Sequence, residues 1–364
     1  MKPLVTGEII LYRQFDVGYE IFLGNAFEYL LSNAPERRKP IRGEASAIQI
    51  PNPPVTVHIG TEQLPMAGHT HEVDLSARLF DFGVISLRAK LAVPRMSWDD
   101  LCTLGSEIGQ TSLTFFDPCL DRLLARIGPA VLRLGRSPVT EEYTVFRIHQ
   151  LEDENGASYP IGEVTDEDIA RLLLSEARPV SPGARADLLS PRFSYYEDDL
   201  AVLTWSAALV VEPVAADTDV QYVLEFANAQ LLELRFHDAV LDAELPRTYD
   251  EIADARRRFH LLGRRFSRLL SVLQTRVADA TEAVERVDNS LKVTDDVYLA
   301  RIYAAALDIF RGPTWRRGID RKVAIIRDAY TMLNAESQAR RTEVLELIII
   351  VLIVVEIVLA LIWR

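Results

Sequence analysis

The stretch LFDFGVISLRAKLAV, Leu79 to Val93, reads as a β-like run. Runs of the same character surround it: LVTGEIILYR (Leu4 to Arg13), YEIFLG (Tyr19 to Gly24), SAIQI (Ser46 to Ile50), VTVHIG (Val55 to Gly60) and EYTVFRIHQ (Glu142 to Gln150). Helical patterns fall at Trp98 to Ile108, Cys119 to Ile127 and Asp166 to Glu176. Strands and helices do not alternate one for one, so the region predicts an α+β fold with a mixed or antiparallel sheet, antiparallel preferred, rather than a doubly wound one. RFSYYEDDLAVLTWSAALVVEP (Arg192 to Pro213) reads as a hairpin turning at Glu197-Asp198-Asp199, with Trp205 on its apolar face. A helical pattern resumes from Val220 to Leu241.

The 364 residues leave room for two domains, and 49% hydrophobic against 26% charged residues excludes a disordered chain. A net charge of −13 argues against attraction of the whole protein to nucleic acid, leaving only local basic segments for that role. Cys102 and Cys119 match no zinc, haem or redox spacing and read as buried, reduced thiols. No secretory signal is expected at Met1, because Glu8, Arg13 and Asp16 interrupt the apolar residues.

No catalytic set emerges, and neither an enzyme activity nor a cofactor is predicted. Asp81-Phe82-Gly83 matches a kinase triplet without a glycine-rich phosphate loop or a His-Arg-Asp loop, and reads as a chance match inside a strand. His69, His71 and Glu72 lack the further ligands of a metal site and read as a polar loop.

Beyond the α+β region, assigned to residues 1–215, a helical hairpin or coiled-coil stalk is expected over 216–343. Ile252, Phe259, Phe266, Leu273, Ala280 and Val287 recur every seven residues, with Ala255, Leu262, Leu269 and Ala283 in most of the intervening positions. A second amphipathic helix, DDVYLARIYAAALDIF, stops at Gly312-Pro313. A third carries Ile319, Val323, Ile326, Tyr330 and Leu333 on one stripe. Within the first helix, RRRFHLLGRRFSR supplies Arg256, Arg257, Arg258, Arg264, Arg265 and Arg268 with no acid among them, a candidate contact for RNA or ribosomal phosphate. The plainer reading is a solvated helix face paired with Asp250, Glu251 and Asp254.

The chain closes on VLELIIIVLIVVEIVLALIWR, in which residues 344–363 are apolar apart from Glu346 and Glu356. Twenty residues at about 1.5 Å each span roughly 30 Å, so a C-terminal transmembrane helix is expected, inserted as a tail anchor. Arg340 and Arg341 place the preceding domain on the cytoplasmic side, making the protein a single-pass protein of the cell's inner membrane. A buried helix of an oligomer is the competing reading. Glu356, near mid-span, is the candidate for intramembrane assembly of a homo-oligomer.

ANAQLLELRFHDAVLDAEL (Ala227 to Leu245), NSLKVTDDVYLARIY (Asn289 to Tyr303), RRTEVLELIIIVLIVVEIVLALI (Arg340 to Ile362) and LFDFGVISL (Leu79 to Leu87) together resemble the "required for meiotic nuclear division" family. That resemblance implies a membrane-anchored protein without established enzyme activity, whose mitochondrial members are linked to synthesis of mitochondrially encoded proteins. Glu8, Asp16, Glu20 and Glu28 make the first thirty residues unlike a transit peptide, which favours a bacterial member. The function expected is therefore a self-associating, membrane-anchored scaffold presenting its α+β domain to a cytosolic protein partner. The alternative is a membrane tether for ribosomes or RNA through the arginine-rich helix.

Overall fold

The computed structural model describes residues 2–32, 41–42, 52–66, 69–175, 178–213, 219–257 and 296–363, with scattered positions between 271 and 285. The SAIQI run and Arg258, Arg264, Arg265 and Arg268 lie outside the described residues, as does most of the heptad pattern after Arg257.

A nine-stranded sheet organises the first part of the chain. Its strands are β1 (Leu4–Asp16), β3 (Ile41–Arg42), β4 (Val55–Met66), β5 (His69–Leu79), β6 (Val84–Ser97), β8 (Thr140–Glu152), β9 (Arg192–Phe193), β10 (Leu200–Leu203) and β11 (Ala207–Val211). They lie in the order β3-β4-β5-β6-β1-β8-β11-β10-β9. A separate two-stranded piece joins β2 (Glu20–Ile21) to β7 (Val131–Leu132). Every pairing in the large sheet is antiparallel except β11 with β8, so the fold is α+β with a mixed sheet.

Strand periodicity divides the sheet into two unlike faces. On one face Val5, Ile9, Leu11 and Phe15 of β1 join Ile85, Leu87, Ala89 and Leu91 of β6 and Phe146 and Ile148 of β8. Helices α1 (Leu23–Leu31), α2 (Trp98–Gly109), α3 (Phe116–Ile127) and α4 (Asp166–Leu174) contribute their apolar stripes to the same core. Ser97 caps α2 by accepting from Asp100 N at 3.1 Å, and Thr165 caps α4 by accepting from Asp168 N at 3.2 Å. Cys102 and Cys119 are free thiols buried in this layer.

The opposite face carries Tyr12 and Gln14 of β1, Arg78 of β5, Ser86 and Arg88 of β6 and Arg147 of β8, all buried. It is covered by the first half of α6 (Asp219–Arg257), where Gln221, Glu225, Asn228 and Gln230 are buried together with Val223, Leu224, Phe226 and Leu231. A helix buried all round must satisfy polar groups against its neighbours. Gln14 Nε2 donates to Glu225 O at 2.9 Å, Arg78 pairs with the Glu225 carboxylate, and Tyr303 bonds to Gln230.

Asp81-Phe82-Gly83 is the turn between β5 and β6, not part of a strand. Gly83 has φ +93°, and a Cβ there would strike the Gly18 carbonyl, so geometry rather than catalysis sets this residue. Phe82 stacks on Phe80 at 5.3 Å and meets Phe226 edge-on at 6.1 Å.

The remaining helices are α5 (Pro182–Leu188), α7 (Val297–Ile309) and α8 (Gly312–Ile362). α6 continues through Pro246, where one backbone donor is missing, to Arg257. Residues 1–236 and 286–314 form one compact unit, and residues 237–285 and 315–364 a second. Within the second, Leu241, Ile319 and Ile326 are buried and Lys322 reaches Asp238 and Asp242 at 2.7 and 2.6 Å.

Among the described residues no helix is long and apolar enough to cross a membrane. This overturns the transmembrane helix expected at 344–363, the tail anchor, and the single-pass inner-membrane location built on them. Glu356 is an exposed residue of α8, and its assignment to an intramembrane interface falls with the span.

Candidate functional site

In the first unit, α7 begins at Asp296, whose carboxylate accepts from Tyr298 N at 2.7 Å and Leu299 N at 3.2 Å. Leu299, Ile302, Tyr303 and Ala306 face inward at helical spacing. Tyr298, Arg301 and Ile309 therefore share another face. Beside that face lie the loop and edge strand made by Pro191 to Asp199. Tyr195 meets Tyr298 at 5.5 Å, and one turn further on Arg301 lies 5.9 Å from the Phe193 ring centre. At the far end Arg311 lies 6.0 Å from the Trp205 ring centre, and Phe310 meets Trp205 edge-on at 6.2 Å. The result is a seam between β9 and α7 lined by rings and guanidinium groups.

Trp205 is held out by its turn. β10 and β11 form a second hairpin at Thr204-Trp205-Ser206, in which Thr204 N donates to Ala207 O at 2.8 Å and Thr204 Oγ1 accepts from Ala207 N at 3.2 Å. Tyr143 Oη donates to Thr204 O at 3.1 Å from the neighbouring strand. With the backbone fixed, the indole is 48% exposed, not packed on the apolar face expected for it. It walls a cleft of about 500 Å³ together with Leu188, Pro191, Leu203 and Ile309, with Asp187 and Arg311 as its charged members.

The two ends of the seam differ in charge. Burial, and then the carboxylates of Asp199, Glu212 and Asp296, push the Tyr298 phenol above its usual range. Asp199 also accepts from Tyr195 N at 2.7 Å, holding the Tyr195-Tyr196 corner. At the other end Arg311, with φ +54° just beyond α7, supplies positive charge. Exposed rings and guanidinium groups of this kind are enriched in binding surfaces.

The residues singled out in the sequence do not assemble here. Arg256 and Arg257 lie near the end of α6, while Arg258, Arg264, Arg265 and Arg268 fall outside the described residues. His69, His71 and Glu72 are on β5 rather than in a loop, and no metal-holding group of His, Cys, Asp and Glu occurs among the described residues. The seam was missed because its rings come from separate segments. The available signal was aromatic residues in turn-like surroundings, Tyr195-Tyr196 before three acids and Trp205 between Thr204 and Ser206.

Residues 6–218 match the family model described as "Uncharacterized protein MJ0711, N-terminal domain". The chain belongs to that family. A relative, the uncharacterized protein MJ0711 of Methanocaldococcus jannaschii, is 24% identical over 222 residues. The match covers 61% of this chain and 66% of that protein, just under two thirds of its length. No solved structure matches. These matches overturn the resemblance to the "required for meiotic nuclear division" family. Three of the four stretches that suggested it lie beyond residue 218, and the fourth, Leu79 to Leu87, lies inside the region matched by the uncharacterised family.

Proposed function

We propose that this protein is a non-catalytic, self-associating scaffold whose α+β unit engages a protein partner through the seam between β9 and α7. The observation that carries the reading is Trp205, held half-exposed by a pinned turn at the edge of the cleft. Trp, Tyr and Arg dominate the energetics of protein interfaces, the rings because they give a large contact with little entropy to lose and the guanidinium because it presents several donors in a planar fork. Tyr195 and Tyr196, 65% and 66% exposed, extend the same surface. Self-association is supported by α8, whose described apolar side chains between Leu345 and Leu359 are all exposed in the single chain.

A photo-crosslinking residue placed at Leu188, on the cleft wall, tests the partner half of this reading. It is expected to capture one discrete protein product, and Trp205→Ser is expected to abolish that product while leaving circular dichroism unchanged. The same product with and without Trp205 would refute the assignment of the cleft.

A further inference from the structure

We infer that the seam takes an extended peptide segment of the partner, with a lysine or arginine at one end and a carboxylate about five residues away. This rests on the protein-binding reading above and names the chemistry of its ligand. The geometry sets the length. Tyr298 and Ile309 are eleven residues apart on one helix, about 16 Å at ~1.5 Å per residue, which an extended chain spans in about five residues.

The tyrosine end selects the cation. Tyr195 and Tyr196 meet at 4.9 Å with planes 79° apart, and Tyr195 and Tyr298 at 5.5 Å with planes 63° apart. Rings at such angles bound a corner, and the negative face of a ring attracts a cation placed over it. Asp199 and Asp296 lie beside this corner, where each accepts backbone N–H bonds, so a positive side chain meets both ring faces and carboxylates. The Trp205 end selects the anion. Arg311 is exposed at the cleft, with its guanidinium carbon 6.0 Å from the Trp205 ring centre, and a planar guanidinium receives a carboxylate in fork geometry. Asp187 also lines this cleft, and its charge disfavours a carboxylate there except one held against Arg311. Between the two ends, Phe193 and Arg301 offer a ring and donors to the peptide's apolar side chains and carbonyls.

The test measures fluorescence anisotropy of the full-length protein with a labelled peptide Lys-Pro-Leu-Pro-Leu-Glu and a control with serine at both ends. The charged-end peptide is expected to bind about tenfold more tightly than the control. Tyr195→Ser with Tyr196→Ser is expected to remove the contribution of the lysine alone, and Arg311→Ser that of the glutamate alone. Equal affinity for the two peptides, or equal loss of both peptides in each variant, overturns the inference. If that happens while the Leu188 crosslink still depends on Trp205, the protein-binding reading stands and only the peptide chemistry is wrong.

Discussion

Arg78 on β5 and Glu225 on α6, 147 residues apart in the chain, form an ion pair with side chains 2% and 0% exposed. Arg78 also donates to Thr56 Oγ1 at 3.2 Å and lies over the Tyr222 ring at 4.5 Å, while Arg88 stands 4.0 Å from the same carboxylate. The cluster fixes where α6 sits on the sheet. Removing Glu225 takes the shared anion from two buried guanidinium groups, and removing Arg78 leaves that carboxylate with the 4.0 Å contact to Arg88, at a cost of up to about 3–5 kcal/mol. Arg78→Met alone is therefore expected to lower the denaturation midpoint markedly. Arg78→Met with Glu225→Leu should lose less than the sum of the two single changes, as a double-mutant cycle would read. Strict additivity would sink the assignment.

Asp16 makes stability depend on pH. Burial, with the Glu233 charge adding to it, pushes its carboxyl from 3.8 up to about 8, against the Gly18 N–H that accompanies its ionised form. The folded state thus holds a proton that the unfolded chain releases above 3.8. The stabilisation from that proton is complete below 3.8 and is lost as pH rises to about 8. Asp16→Asn removes this dependence, so it is expected to gain stability relative to the parent as pH rises through that window. Urea midpoints of the two proteins that run parallel from pH 5 to pH 9 would contradict this.

Both cysteines should be inert in the folded protein. Burial raises the Cys102 thiol to about 11 and raises Cys119 as well, so little reactive thiolate exists near neutrality. Ellman's reagent at pH 7.5 is expected to label neither in the native state and both after denaturation. Rapid labelling without denaturant would show that the layer around α2 and α3 opens readily.

The arginine-rich segment separates scaffold from tether. If the scaffold reading holds, Arg257→Glu, Arg264→Glu and Arg265→Glu together leave ribosome co-sedimentation unchanged. A tether would lose salt-sensitive binding in that triple variant. Sedimentation at low and moderate salt decides between them.

Self-association through α8 predicts that deleting residues 344–364 reduces the mass of the particle measured by light scattering. An unchanged mass in the truncated chain would rule out this helix as the contact.

Local pattern carried much of the fold. The alternation in LVTGEIILYR and EYTVFRIHQ and the apolar spacing in Trp98 to Ile108 and from Asp166 to Leu174 depend only on neighbours in sequence, and each became the expected kind of element. YEIFLG went only partly that way, with Glu20–Ile21 a strand and Leu23 opening α1, because six residues contain too little of either period. The run from Leu345 onward shows the limit of length counting, since hydrophobicity alone did not establish a span.

What the sequence by itself determined was the α+β class, the burial of the thiols and most strand and helix types, because side-chain periodicity is a property of consecutive residues. Only the tertiary structure decided that β11 runs parallel to β8, that Glu225 descends onto Arg78 and Arg88, and that Trp205, Tyr195 and Arg311 line one seam. Those relationships join residues far apart along the chain, and long-range pairing follows from which faces can bury each other and satisfy their polar groups, a condition no local window of sequence contains.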